Sequence, residues 1–204
     1  MKRGLPQGCR ASESRYAYGP PGDSPGCGVP VIANNDGGVL MRIREWTEND
    51  LERVMAITVA AWTPVYNGYL QAMGPDIFHT VHEGWQERKK RSILSSCRNG
   101  NGVSVYVVEI GGDVAAFIGY RVDTEQKCGV IWDNAVDPAY QGRGIASAMY
   151  RFVLEKMKER GMTVAAVVTG GDEAHIPARR AYEKAGFDKV VPSVRYYMRL
   201  GESD

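Results

Sequence analysis

Apolar and polar residues follow two rhythms along most of the chain, and the switches between them mark the elements. Met41 to Trp46 alternates, as a half-buried strand does. Thr47 then stands as an N-cap with Asp50 in the first turn, ahead of Leu51, Val54, Met55 and Thr58 at helical spacing. A loop rich in aromatics is expected over Trp62, Tyr66 and Tyr69. Helical spacing resumes from about Pro75 to Cys97, carried by Ile77, Phe78, Val81, Trp85 and Ile93. Asn99-Gly100-Asn101-Gly102 signals a turn. Three strand-like runs follow, Val103 to Ile110, Val114 to Val122 and Gly129 to Val136, and Gly111-Gly112-Asp113 makes a hairpin of the first two.

Beyond them, Ile145, Ala148, Met149, Phe152, Val153 and Met157 form a helical stripe to about Arg160, which Gly161 stops. Met162 to Val168 reads as a buried strand. Pro177 suits the first turn of a helix reaching Lys184 and ended by Gly186. A last strand is expected over Val194 to Leu200. The order β, α, α, β, β, β, α, β, α, β predicts a mixed α/β sheet with helices on both faces, in one domain.

The first 40 residues differ in kind. They hold half of the chain's ten prolines and many glycines, with no apolar period, so a disordered tail is expected over 1–40 and a folded domain over 41–204. That tail is either a genuine extension or a stretch upstream of the true start at Met41. A net charge of +1 over 204 residues argues against nucleic acid or an anionic membrane as partner. The longest apolar run, Val164 to Val168, is far short of the roughly 20 residues that span a bilayer. The basic start MKRG has no apolar run behind it, so no secretory signal is read and a cytoplasmic location is expected. Cys9, Cys27, Cys97 and Cys128 are scattered, without zinc-site spacing or a disulfide framework. His79 and His82 lie three apart with no matching ligands, so no metal site is expected.

The chemistry concentrates in DPAYQGRGIASAMY, Asp137 to Tyr150. A helix N-terminus offers unpaired N–H groups and the positive end of the dipole, and glycines let a phosphate approach them. Gln141, Gly142, Arg143 and Gly144 supply such a turn just ahead of the Ile145 helix. Taken alone, the turn is equally a plain strand-to-helix connection. No P-loop is present, and a dinucleotide fingerprint would have serine at Ser147 in place of its third glycine.

Gln141-Gly142-Arg143-Gly144-Ile145-Ala146 resembles the Q/R-x-x-G-x-G/A pattern of the GNAT superfamily of acyl-CoA-dependent N-acetyltransferases. Ala178 to Phe187, ARRAYEKAGF, resembles its A-x-x-x-Y-E-K-x-G-F segment. The resemblance covers about Met41 to Leu200. It implies a mostly antiparallel mixed sheet whose strands near 129–136 and 162–168 splay apart. Backbone N–H groups of Gln141 to Ala146 would hold the pyrophosphate of acetyl-CoA, and its pantetheine arm would pair near Ala135 and Val136.

The same resemblance makes Tyr182 the general acid beside the sulfur; its alternative is a core tyrosine anchoring the last helix. Asp133, charged among apolar neighbours, is either base or amine anchor, or else a carboxylate paired to an arginine. The glutamate base of some members would fall at Val130, so that base is absent. His175 stands where the family often has an asparagine that contacts the cofactor arm, and imidazole can also accept a proton near neutral pH. Trp62 and Tyr66, with Tyr69 and Trp85, would flank the acceptor; helix–helix core is the other reading. The implied activity is acetyl transfer from acetyl-CoA directly to a primary amine of a small molecule or peptide, by a monomer or a homodimer. The alternatives are an acyl-CoA-binding module without turnover and an NAD(P)-dependent oxidoreductase.

Overall fold

A computed structural model describes residues 31–32 and 41–200 of the protein. The expected disordered tail otherwise lies outside the described residues. Within it, Val31–Ile32 forms a short strand, β1, paired antiparallel with Arg42 and Met41, so the sheet takes in backbone ahead of Met41.

Strand β2, Met41–Glu45, leads into helix α1 through one cation. The Arg44 guanidinium donates to both Asp50 oxygens at 2.7 Å and to Glu109 Oε1 at 2.8 Å. Asp50 Oδ2 also accepts from the Thr47 N–H at 2.7 Å, which fixes the entry to the helix. Helix α1 runs Leu51–His82, so the aromatic loop expected over Trp62, Tyr66 and Tyr69 is helical instead. Their spacing of four and three places them along one helix face, and Pro64 is carried inside the helix at the loss of one N–H. The helix breaks locally at Gly74, with φ 75°, and Pro75 opens the second segment. The single helix expected over 75–97 is divided at Gly84, whose left-handed φ of 65° starts α2, Trp85–Cys97.

Strands β3 (Ser104–Ile110), β4 (Asp113–Asp123) and β5 (Cys128–Val136) form an antiparallel meander. Helix α3, Ile145–Glu159, crosses back to β6, Val164–Val167, which lies parallel to β5. Helix α4, Ile176–Ala185, follows and ends at Gly186. The six strands lie in the order β1-β2-β3-β4-β5-β6. Val54, Ile57, Ile93, Val107 and Phe117 pack α1 and α2 on one face; Ile118, Ile131, Met149, Val153 and Tyr182 pack α3 and α4 on the other. Central β4 is therefore buried from Val114 to Arg121 without alternation, as a strand covered on both faces should be. No described helix is long and apolar enough to cross a membrane.

Besides a register shift at Val108/Glu109 between β3 and β4, the strand pattern departs from regularity at two places that matter for the site. Ile118 pairs with Asn134 and Tyr120 with Ile131, so Trp132 and Asp133 together oppose Gly119: a β-bulge in β5. The expected last strand over Val194 to Leu200 is absent. Residues 187–200 are irregular and leave Val191, Val194, Tyr196 and Leu200 in solvent, with Arg199 Nη1 paired to Asp76 Oδ2 at 2.8 Å. Alternation in a sequence supplies a sided strand but no partner, and here no neighbouring edge takes it up.

Candidate active site

At the end of β5 the chain is anchored before it turns. The Asp137 N–H donates to the Ala115 carbonyl at 2.9 Å, and its carboxylate accepts from the Ala139 N–H at 2.7 Å and Arg53 Nη2 at 2.5 Å. A single 3₁₀ turn, Pro138–Tyr140, then delivers Gln141 to Gly144 to the surface, all four exposed. Gly142 and Gly144 adopt φ of 78° and 77°, a region costing other residues about 1–2 kcal/mol. Arg143 Nη2 donates back to the Ala139 carbonyl at 3.2 Å, and its guanidinium lies 5.1 Å from the Tyr140 ring centre. The first N–H groups of α3, at Ile145, Ala146 and Ser147, have no acceptor inside the helix. The result is an exposed, donor-rich helix end suited to an anion.

Beside this turn the sheet opens. Strand β6 pairs with β5 only from Cys128 to Ile131, and β5 runs on to Val136 without it. Ala135 and Val136 remain paired on their other edge with Phe117 and Ala116 of β4. Their β6-facing edge has no strand partner among the described residues, which leaves backbone polar groups lining a gap.

On the α3/α4 side of that gap sits Tyr182, buried in α4. Its hydroxyl lies 3.2 Å from Asn134 Nδ2, and Tyr150 of α3 donates to Asn134 Oδ1 at 2.9 Å. Asn134 Nδ2 also reaches the Trp132 carbonyl at 3.1 Å. The Tyr150 and Tyr182 rings pack 4.9 Å apart. Burial, and next the neighbouring Tyr182, push the Tyr150 phenol well above its usual value, so it stays protonated.

His175, at the entry to α4, turns its Nδ1 to the Asp172 carboxylate, 2.8 and 2.7 Å from the two oxygens. Arg179 Nη1 holds the loop under this pair through the carbonyls of Gly170 (2.7 Å) and Asp172 (2.8 Å). A Cβ on Gly170 would fall within 2.6 Å of His175 Cε1 and nearer still to Nδ1, so glycine is what lets the pair form. Burial alone would raise the Asp172 carboxyl, but the His175 hydrogen bond and charge hold it below the usual carboxylate value. With Nδ1 committed to Asp172, Nε2 is the nitrogen left to exchange a proton.

Across the sheet, Asp133 is paired with a lysine where an arginine was one expectation: Lys89 Nζ of α2 lies 2.5 Å from Oδ1. The same ammonium stands 4.2 Å from the Trp62 ring centre, and Trp62 stacks on Phe117. Tyr66 stacks on Trp85 at 4.0 Å and meets Tyr69 edge-on at 5.6 Å. Burial raises the Tyr66 phenol. His82 closes this cluster with its Nε2 buried and without a hydrogen-bond partner among the described residues. Burial, with the charges of Arg88 and Arg195, pushes its pKa down.

Asn134, Tyr150, Asp172 and Lys89 are not among the site residues expected from the sequence. Asp172 has a local signal, an acid three residues before His175 behind a Gly-Gly pair. Asn134 and Tyr150 have none, because their meeting depends on the bulge and on the packing of α3.

The acetyltransferase (GNAT) family model matches residues 60–187. Mycothiol acetyltransferase of Rhodococcus erythropolis is 23% identical over 172 residues, which are 80% of this chain and 51% of that protein. The chain thus spans about half the length of this curated relative. The crystal structure of paiA N-acetyltransferase from Thermoplasma acidophilum in complex with coenzyme A superposes with TM-score 0.59 at 16% identity, covering 72% of this chain and 89% of that one. The ribosomal-protein-S18-alanine N-acetyltransferase from Escherichia coli gives 0.55 at 18% identity, covering 78% and 85%.

Proposed function

Because the chain belongs to the acetyltransferase (GNAT) family, we propose that it moves an acetyl group from acetyl-CoA directly onto a primary amine of a small molecule or peptide. One observation carries this reading: the exposed glycine turn stands beside a gap whose β5 edge is unpaired. A thioester with a pyrophosphate at one end and an amide-bearing arm needs both features at once. Gln141 to Ala146 would hold the pyrophosphate, and the edge of Ala135 and Val136 that no described strand pairs would take the arm, with the Gln141 side chain, 3.4 Å from the Val136 carbonyl, giving way to it. The mycothiol acetyltransferase relative and the coenzyme A complex of the paiA enzyme support the choice of donor.

The proton transfers follow from the side chains. An acceptor ammonium must first lose a proton, since a lysine-type amine has a pKa of about 10.4 in water. His175, oriented by Asp172, takes that proton. Asp133 is held by Lys89, so it shapes the acceptor side with Trp62 and Tyr66 and is not free to act as base. The amine nitrogen then attacks the carbonyl, the new C–N bond forms, and the nitrogen's second proton passes to solvent. The C–S bond breaks with its electron pair on sulfur, and Tyr182 gives that sulfur its proton. The phenolate recovers a proton from solvent, which leaves amide and free thiol.

Calorimetric titration of the full chain with acetyl-CoA, beside NADPH, tests the reading. Heat with acetyl-CoA alone, followed by thiol release in a panel of amines, supports it. No heat from a folded sample sinks it, and heat with NADPH alone replaces it with a dinucleotide site.

A further inference from the structure

The Tyr150–Asn134–Tyr182 chain fixes more than the packing of three side chains. An asparagine amide has one acceptor and one donor end, and exchanging them is the usual ambiguity. Here the Trp132 carbonyl resolves it. A carbonyl only accepts, so the group 3.1 Å from it must be the NH₂. Oδ1 then faces Tyr150, which must donate to it at 2.9 Å. The second Nδ2 hydrogen is left for the Tyr182 oxygen at 3.2 Å. A phenolic hydrogen lies close to the ring plane, at one of two positions. An amide NH₂ accepts no hydrogen bond, so Tyr182 does not donate to Asn134 and its hydrogen is left for another acceptor.

We propose that Asn134 is a positioning residue for acetyl transfer: by donating to the Tyr182 oxygen it turns the Tyr182 hydrogen away from the strand and toward the leaving sulfur. Asn134 belongs to the part of β5 that β6 does not pair, so the Asn134–Tyr182 contact borders the gap. The bulge at Trp132–Asp133 is what brings it there. With two residues opposite Gly119, Trp132 and Asp133 share the α1/α2 face, so Asn134 keeps the α3/α4 face that Ile131 has before the bulge. Tyr150, kept protonated by burial, holds the amide in its working orientation. The inference rests on the proposed role of Tyr182 as acid.

The test is a double-mutant cycle on the full chain, with kcat and KM for acetyl-CoA measured by thiol release and folding checked by thermal melting. Asn134→Ala should lower kcat about tenfold, one neutral hydrogen bond's worth of orientation, with KM for acetyl-CoA unchanged. Added to Tyr182→Phe, it should lower kcat no further. The isosteric Asn134→Asp, whose ionised carboxylate accepts the Tyr182 hydrogen, should also lose activity while staying folded, at a lower melting temperature because it faces the Trp132 carbonyl. Tyr150→Phe should cost less than either. Full additivity of Asn134→Ala with Tyr182→Phe, or wild-type kcat in Asn134→Asp, would overturn the positioning role. Wild-type kcat in Tyr182→Phe would overturn the acid assignment itself, and the positioning role with it.

Discussion

Gly170→Ala isolates the His175–Asp172 pair without touching either member. The added methyl would stand 2.6 Å from His175 Cε1 and closer to Nδ1 and to Asp172 Oδ2. Ordinary carbon contacts begin near 3.5 Å, so ring and carboxylate must each retreat by about 1 Å. Hydrogen bonds of 2.7 and 2.8 Å do not survive that separation. The pair is partly solvated, at 19% and 35% side-chain exposure, so its loss should cost only about 1 kcal/mol of stability. In a domain of this size that lowers Tm by about 2–4 °C. Activity should fall further, because an unoriented imidazole forfeits much of the 10²–10⁴ that a positioned base contributes; kcat/KM should drop about 10- to 100-fold. Gly171→Ala is the control, since a Cβ there meets nothing within 4 Å. Thiol release at saturating acetyl-CoA, with the acceptor varied, measures the effect. Equal kcat/KM in the Gly170→Ala and Gly171→Ala enzymes would refute the base assignment.

Two further predictions concern stability. Asp50→Asn leaves Glu109 as the one carboxylate on the Arg44 guanidinium and should cost about 2 kcal/mol in urea denaturation. Arg44 holds the Asp50 carboxyl below its usual value, so the wild-type contribution is whole above about pH 4 and is lost as pH falls through the depressed folded value; that acid slope should flatten in the variant. His82→Phe removes the buried, unpartnered Nε2 and should stabilise by about 1 kcal/mol near pH 8. Because burial depresses the His82 pKa, the unfolded chain takes up its proton first, and wild-type stability should decline as pH falls below about 6.5. Denaturation midpoints at pH 8 and pH 5.5 should converge in the variant.

What could be read from the chain was what local chemistry decides. The α3 stripe, the glycine turn at Gly142 and Gly144, and the cap at Gly186 each depend on residues a few positions apart, and each stands where expected. The helix through Trp62, Tyr66 and Tyr69 was hidden because Pro64 and Gly68 imitate a loop, while the partners that hold them in a helix, Phe117 and Trp85, are distant in sequence. The facing of Asp133 and Asn134 was beyond any period of two, since a bulge exists only in the pairing of two strands. Residues 194–200 fail for the complementary reason: their alternation is real, but nothing pairs with it.

The alternation that resumes after the bulge also divides labour. Adjacent residues of one strand look to opposite layers, Asp133 into the packing of α1 and α2, Asn134 into that of α3 and α4. Substitutions on α1 and α2 can therefore reshape one layer while the sheet screens the tyrosines from them. Deleting Trp132 would remove the bulge and leave Ile131, Asp133 and Asn134 in plain alternation on the layers they already face. Variation in such a scaffold can accumulate on one side of the sheet without reaching the other.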